Sequence, residues 1–243
     1  MKAASQIIST VSPKLCEGTF TRKEAGILIS NGCQHIHSFS GTTDPFVGAT
    51  RNALEGNQIP TYTWEIPSSN VLTLSSSQER SDLQKKIFEL GPPKIKKTLV
   101  NKINTVFEEL ATNAIYHSYQ NSTGKDKYPR RDVAELCEKE KVVLKFGWAP
   151  NRDFYLSVQD RGGFLKFERV AEVFERCYSD EKSDKIETKE GGAGLGLYMV
   201  FETVNHLKIE VQEGVSTTVS CSIAENSRLA SDTYSFNFFT RRT

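Results

Sequence analysis

Apolar residues recur at steps of three and four between residues 94 and 119, which is the spacing of one buried stripe along an α-helix. The pattern predicts a long amphipathic helix over this range, with Glu109 and Asn113 beside the stripe. A Gly-Pro-Pro sequence separates it from the helix before it, because proline cannot continue a helix. Similar periodicity predicts further helices at about residues 22–29, 44–54, 77–90, 167–177 and 195–205.

Two pairs of β-rich runs predict β-hairpins, because each pair is joined by a short segment of turn-forming residues. The strands of the first pair flank the sequence Ala-Pro-Asn-Arg-Asp, and those of the second pair flank Glu-Gly. Two shorter runs predict single strands. The predicted strands are residues 35–39, 62–66, 142–148, 154–159, 207–212 and 217–223.

The composition is that of a globular protein, with 37% hydrophobic and 25% charged residues in a chain of 243. Turn-forming residues cluster at positions 55–60, which predicts a domain boundary there. A segment of about 58 residues rarely buries a full core by itself. We therefore expect residues 1–58 to form a small βα docking element and residues 59–243 to form the main domain.

Charge and cysteine content argue against several kinds of partner. The 31 basic and 30 acidic residues give a formal charge of +1, which offers no bulk attraction for nucleic acid or acidic lipid. No stretch has the pattern of a signal peptide or a membrane span, so we expect a cytoplasmic protein without nucleic-acid or membrane partners. The five cysteines are scattered without the spacing of a zinc site, which predicts reduced thiols.

The first candidate motif lies on the long predicted helix. Glu109 and Asn113 are four residues apart, so they lie one turn apart on one helix face and can contact the same ligand. An amide oxygen is a hard ligand that suits Mg²⁺, and a carboxylate beside it can accept a proton from an attacking water or hydroxyl. The alternative is a helix with two exposed polar residues.

Two motifs that contain glycine follow. Asp160 ends a predicted strand just before Gly162 and Gly163, where the chain can turn sharply and the carboxylate could bind an adenine amino group. The alternative there is an ordinary turn. Residues 191–196, Gly-Gly-Ala-Gly-Leu-Gly, run directly into a predicted helix, whose free backbone amides and positive end favour phosphate. This loop lacks the Gly-Lys-Ser/Thr of a Walker loop and the preceding strand of a Rossmann fingerprint.

The order and spacing of these motifs resemble the N, G1 and G2 boxes and final strand of the GHKL ATPases, which include gyrase, heat-shock chaperone 90, histidine kinases and a mismatch-repair ATPase. The likeness covers about residues 60–223 and is closest to the anti-sigma-factor serine kinases, with histidine kinases next. It implies an α+β fold of the Bergerat type, a two-layer sandwich of a mixed sheet with helices on one face, to which the small N-terminal βα element is added. The motifs are Glu109-x-x-x-Asn113-Ala114, Asp160-x-Gly162, Gly192-x-Gly194-x-Gly196 and Thr217-Thr218-Val219.

The resemblance also implies roles for individual residues. Asn113 would coordinate Mg²⁺, and Glu109 would act as the catalytic base. Asp160, with Gly162 beside it, would bind the adenine amine, and Thr217 would support that contact. The phosphates of ATP would lie against the loop that contains Gly192, Gly194, Leu195 and Gly196.

Two positions depart from the family pattern. Phe164 stands where a second G1 glycine is usual, and its ring would close or reshape the base pocket. Tyr116 stands where histidine kinases have a lysine, so the phosphate contact of that lysine would have to come from His117 or Lys189.

The first 58 residues carry a fainter likeness. Residues 29–36, Ile-Ser-Asn-Gly-Cys-Gln-His-Ile, and the predicted helix from residue 44 resemble the last strand and helix of a two-component receiver domain. No candidate phosphoacceptor aspartate precedes them. We therefore expect a docking remnant of such a domain.

The resemblances predict a regulatory protein kinase of bacterial signalling that binds ATP and Mg²⁺, of the anti-sigma serine-kinase or histidine-kinase branch. Its partner would be a regulatory protein of the anti-sigma, anti-anti-sigma or response-regulator class. The resemblance also allows a homodimer, because related kinases often dimerise. The main alternative is a non-catalytic module that binds nucleotide or a partner protein through a degenerate site. A third is an ATP-driven machine of the chaperone or mismatch-repair kind, which would need a transducer domain after residue 223.

Overall fold

A computed structural model describes residues 7–8, 14–39, 45–56, 69–121, 123–178, 195–225 and 233–241. Within these residues the chain forms one mixed β-sheet with α-helices packed against it. The strands are β1 (Ile7–Ile8), β2 (Lys14–Gly18), β3 (Cys33–Ser38), β4 (Asn70–Leu74), β5 (Val142–Trp148), β6 (Phe154–Asp160), β7 (His206–Gln212), β8 (Ser216–Ile223) and β9 (Tyr234–Arg241). The helices are α1 (Arg22–Ser30), α2 (Pro45–Gly56), α3 (Arg80–Glu89), α4 (Lys97–Tyr116), α5 (Phe167–Tyr178) and α6 (Gly196–Thr203).

The strands lie in the order β1-β2-β3-β9-β7-β8-β6-β5-β4. The pairs β2–β3 and β7–β9 are parallel, and the others are antiparallel. The α+β fold with a mixed sheet is therefore confirmed, as are both predicted hairpins, β5–β6 and β7–β8. Because β6 also pairs with β8, Asp160 at the end of β6 lies opposite Thr217.

Helix α4 confirms the longest predicted helix, although that prediction extended three residues too far at each end. Its apolar stripe is buried against the sheet, including Leu99, Ile103, Val106 and Leu110. Lys96 before the helix has an extended backbone, and His117 ends it by donating its backbone N–H to the carbonyl of Asn113. The stripe therefore fixes which face of α4 turns outward to carry Glu109 and Asn113.

Aromatic side chains hold α5 and α6 against β9. The ring of Phe174 on α5 lies 5.1 Å from that of Phe201 on α6 and 5.9 Å from that of Phe236 on β9. Phe167 at the start of α5 packs edge-on against Phe238, with ring centroids 5.4 Å apart. These contacts belong to one continuous core that also includes α4.

Strand β9 joins the N-terminal strands to the rest of the sheet. It pairs antiparallel with β3 and parallel with β7, so β1, β2 and β3 extend the same sheet that contains Asp160. Helix α2 contacts β3 through His37, whose Nε2 lies 2.9 Å from Thr50 Oγ1. The sequence pattern did not predict β9, since six of its eight residues are buried and no alternation of exposed positions marks it.

Some predictions lie outside the described residues. These include the predicted strand at residues 62–66 and the boundary near residue 58. The division into residues 1–58 and 59–243 therefore stays a prediction. Strand β4, which pairs with β5, was not predicted from the sequence. Of the helices in the described part of the chain, none combines the length and apolar character needed to cross a membrane.

Candidate functional site

The first and third sequence motifs meet at the start of α6. Gly196, the first residue of α6, lies so close to α4 that an added Cβ would overlap Oε2 of Glu109 and lie 3.6 Å from Nδ2 of Asn113. A side chain at this position would require the Glu109 carboxylate to move away. The side chains of Glu109 and Asn113 are both partly accessible, so the helix end faces two side chains that a ligand can reach.

The carboxylate of Asp160 is buried and fixed by backbone amides. Its Oδ1 accepts hydrogen bonds from the N–H groups of Gly162 at 2.8 Å, Gly163 at 3.4 Å and Thr217 at 3.2 Å. Burial raises the pKa of Asp160, and the hydrogen bonds from Gly162, Ser118, Gly163 and Thr217 act in the opposite direction. The orientation of this carboxyl group is therefore set before any ligand binds.

Gly162 and Gly163 both occupy positions that exclude a side chain. A Cβ on Gly162 would overlap the carbonyl oxygen of Ser118, just after α4. Gly163 has a φ of +68°, and its Cβ would overlap the carbonyl oxygen of Gln212 at the end of β7. The approach of Gly162 brings the turn after β6 against the end of α4, so the second motif lies beside the first, and the approach of Gly163 brings the same turn against the end of β7.

Tyr119 is a further residue of this region that no sequence motif indicates. Its hydroxyl accepts a hydrogen bond from the N–H of Arg161 at 3.1 Å and donates to the carbonyl oxygen of Glu140 at 3.1 Å. Burial raises the pKa of Tyr119 to about 12, so the phenol stays protonated and can make both bonds. No motif marks Tyr119 or Ser118, because their contacts depend on segments far along the chain.

Glu140 in turn anchors the segment between α4 and β5. Its Oε1 lies 2.5 Å from Nζ of Lys127, and its Oε2 accepts a hydrogen bond from the hydroxyl of Tyr128 at 2.6 Å. Burial by itself would raise the pKa of Glu140, but these two bonds and those from Cys137 lower it to about 2. The segment that carries Tyr119 is therefore tied down by a carboxylate that stays charged.

The two departures from the family pattern have different surroundings. Tyr116 is buried and donates its hydroxyl to the carbonyl oxygen of Asp132 at 3.0 Å, so its side chain points into the protein. Phe164 is 47% exposed and its ring lies beside Gly162. His117 is partly exposed, with Nδ1 2.7 Å from Oδ2 of Asp126.

The described residues include only part of the glycine-rich loop. Gly192, Gly194 and Lys189 lie outside them, so their predicted roles are neither supported nor contradicted by the geometry. Leu195 is partly buried and precedes α6, where its carbonyl oxygen accepts the hydrogen bond of Met199 N–H at 2.9 Å. Thr217 is buried on β8 and contacts Asp160 through its backbone N–H.

The chemistry of these groups fits a nucleotide with Mg²⁺. Asn113 has a hard amide oxygen of the kind that Mg²⁺ takes together with phosphate oxygens, and the Glu109 carboxylate beside it can accept a proton. The end of α6 at Gly196 brings backbone amides to the same place, as a phosphate requires. Asp160 supplies a buried acceptor of fixed orientation, which suits an amino group on an adenine ring.

Comparison with known protein families agrees with this geometry. The family model described as histidine kinase-, DNA gyrase B-, and HSP90-like ATPase matches residues 98–227, just over half of the chain. A search of curated proteins found no match. The matched range contains α4 except for its first residue, both hairpins, α5 and α6, and with them Glu109, Asn113, Asp160, Gly196 and Thr217. The chain therefore belongs to the GHKL-type family of histidine kinase-like ATPases, whose domains bind ATP.

Proposed function

We propose that the protein is a regulatory protein kinase that uses ATP and Mg²⁺, of the anti-sigma serine-kinase or histidine-kinase type. The observation that carries the proposal is the approach of Gly196 to Glu109 and Asn113, because it joins a carboxylate, an amide oxygen and a helix N-terminus in one place. Phosphoryl transfer uses groups that accept a proton, hold a metal ion and bind phosphate, and these three groups can serve those purposes.

Each residue would have a separate task. Asp160 would accept a hydrogen bond from the adenine amine, and Thr217 would hold the Asp160 carboxyl group in place through its backbone N–H. Asn113 would hold Mg²⁺, which neutralises developing charge on phosphate oxygens. Glu109 would accept the proton of the attacking hydroxyl. As it does so, the hydroxyl oxygen would bond to the γ-phosphorus, and the bond from that phosphorus to the departing ADP would break.

Replacement of Glu109 tests the catalytic part of this proposal. E109Q keeps the size of the side chain but cannot accept a proton, so phosphotransfer and ATP hydrolysis should fall at least about 100-fold while ATP binding remains. A matched control is E108Q, since Glu108 is the neighbouring acid on α4 and forms a 3.1 Å ion pair with Arg80. E108Q should retain wild-type activity.

Two results would count against the proposal. Unchanged turnover in E109Q would remove Glu109 from the chemistry. Titration calorimetry of the wild type with ATP and Mg²⁺ that gave no heat, together with no thermal shift, would remove nucleotide binding itself.

The second candidate function is a non-catalytic module that conveys a signal through its conformation. Tyr116 favours it, because the buried tyrosine supplies no positive charge where histidine kinases have a lysine. Wild-type protein that binds ATP but transfers no phosphoryl group, either to itself or to a bound partner, would support this alternative over the kinase.

The partner would be a regulatory protein of the anti-sigma, anti-anti-sigma or response-regulator class, and the protein would act in the cytoplasm, as a monomer or a homodimer. The nearly balanced charge of the chain supports a protein partner, because it gives no reason to expect nucleic acid or another polyanion as the partner. Affinity capture with ATP-loaded protein, compared with capture by E109Q, would identify phosphoacceptors, since a variant that cannot transfer the phosphoryl group should retain them.

A further inference from the structure

Arg22 at the start of α1 reaches the last turn of α6. Its partner there, Phe201, lies 179 residues further along the chain. Its Nη1 donates to the carbonyl oxygen of Phe201 at 2.7 Å, and its Nη2 donates to that of Val204 at 2.6 Å. Carbonyl groups at the end of a helix lack partners within the helix, and a positive charge there suits the helix dipole. One side chain of the N-terminal element therefore caps α6.

The guanidinium of Arg22 is held in an aromatic site. It lies 3.9 Å from the ring centroid of Tyr234 and 4.8 Å from that of Phe201. The single O–H of Tyr234 lies within hydrogen-bonding distance of the carbonyl oxygens of Phe20 and Thr21 and is shared between them, which fixes the chain just before Arg22. Burial lowers the pKa of Arg22, but a guanidinium keeps its charge in proteins. Loss of the side chain would remove the Arg22 donors from the partly buried carbonyl groups at the end of α6.

The start of α1 is itself rigid. Thr21 and Glu24 form a capping box, in which the Thr21 hydroxyl accepts from the Glu24 N–H and the Glu24 carboxylate accepts from the Thr21 N–H. The backbone from which Arg22 extends is therefore fixed.

A tyrosine on α5 adds a second contact among the same helices. The hydroxyl of Tyr178 donates to Glu202 on α6, and its ring lies where a Cβ on Gly26 of α1 would be. Helices α1, α5 and α6 therefore meet at the end of α6 that Arg22 caps.

The other end of α6 is Gly196, which lies against Glu109 and Asn113. A helix of eight residues is a rod of about 12 Å, so contacts that hold one end also determine the position of the other. Displacement of reacting groups by about 1 Å can cost as much as 100-fold in rate.

We propose that Arg22 is a positioning residue for the nucleotide site, which acts through α6 to hold Gly196 at Glu109 and Asn113. The N-terminal element then belongs to the ATP site and sets its affinity for the phosphates. The effect on ATP rests on the proposed function, whereas the effect on α6 does not.

The test compares R22M and R22K with two controls. R22M keeps an unbranched apolar stem but removes the donors and the charge, whereas R22K restores the charge and should recover part of the loss. R169M makes the same change at an exposed arginine of α5 that forms an ion pair with Glu172. I87V truncates a buried residue of α3 and lowers stability away from α6.

Two measurements are made well below the melting temperature of every variant. Hydrogen exchange in the absence of nucleotide should be faster in α6 of R22M, with no such change in R169M or I87V. Calorimetry should show that the Kd for ATP with Mg²⁺ rises about tenfold or more in R22M. The affinity for adenosine, which lacks phosphates and would contact only the Asp160 end, should not change.

The outcomes separate this proposal from the proposed function. Unchanged exchange in α6 of R22M would overturn the proposal, even if the wild type bound no ATP. Faster exchange with unchanged ATP affinity would overturn the link from Arg22 to the nucleotide site. If R22M lost equal affinity for adenosine and for ATP, Arg22 would only stabilise the fold. The same conclusion would follow if I87V lost as much ATP affinity as R22M. If the wild type bound no ATP, the proposed function would fail, and faster exchange in R22M would leave only the role of Arg22 in holding α6.

Discussion

Acid should destabilise the folded protein through His35, which lies on β3 with none of its surface exposed. Asn237 Oδ1 can only accept a hydrogen bond, so Nδ1 of His35, 3.1 Å away, carries the hydrogen. Nε2 of His35 has no hydrogen-bond partner among the described residues. Burial is the main reason that the pKa of His35 falls from 6.5 to about 3, with a smaller contribution from His37 and an opposing one from the Asn237 hydrogen bond.

The direction of the effect follows from where the proton binds. Below its ordinary pKa of 6.5 the His35 of the unfolded chain takes up a proton, whereas the folded protein does not until about pH 3. Unfolding therefore takes up a proton across this window, and the free energy of unfolding falls as the pH falls. A change from pH 7.5 to pH 5.5 should remove about 1.4 kcal/mol through this group. For a chain of this length the melting temperature should fall by about 3–6 °C.

The assay is urea unfolding at pH 7.5 and pH 5.5 for the wild type and H35Q. The glutamine amide can still donate to Asn237 but cannot titrate, so H35Q should lose about 1.4 kcal/mol less than the wild type between the two pH values. H117Q is the control, because His117 is partly exposed and pairs with Asp126 at the surface. It should keep most of the acid sensitivity of the wild type. An equal loss in H35Q and the wild type would refute the assignment of this sensitivity to His35.

Two further predictions concern close contacts. G162A should lower the free energy of unfolding by about 2 kcal/mol or more, because the added Cβ would overlap a backbone carbonyl of Ser118 that cannot rotate away. G48A, on α2 with open space around it, should raise the free energy of unfolding by about 0.5–1 kcal/mol. Chemical denaturation that found G162A more stable than G48A would contradict this reasoning. Cys16 and Cys33, whose Sγ atoms lie 2.8 Å apart, should form a disulfide with diamide, which accepts the two electrons and two protons. Non-reducing peptide mapping should find that bond, and closing a loop of about 16 residues should stabilise the oxidised form by about 3 kcal/mol; an oxidised protein that melts below the reduced one would contradict the prediction.

Two of the predicted elements that the structure confirms, α4 and β6, have one buried face and one that is more accessible. The stripe on α4 and the alternation along β6 each show such a period in the sequence. Strand β9 shows none, because it lies between β3 and β7 and is buried on both faces. Its place in the middle of the sheet joins the N-terminal strands to the ATPase domain, which local periodicity does not reveal.

The residues of the candidate site likewise include some that the sequence indicates and others that only the folded chain brings together. Glu109 and Asn113 are recognisable in the sequence because helical spacing alone places them on one face, and Asp160 is recognisable because it ends a strand before glycines. Their neighbours are not recognisable. Ser118 excludes a side chain at Gly162, and Tyr119 binds the N–H of Arg161, but each contact joins segments that approach only in the folded chain.

The sequence by itself determined the class of protein, because that depends on residue types at fixed spacing within single helices, strands and turns. The tertiary structure decided which of these segments meet. It placed Gly196 against Glu109, and it placed Arg22 at the far end of the same short helix. The physical reason is that hydrogen bonds and close packing between distant segments depend on how helices settle on a sheet, and no pattern within either segment records that arrangement.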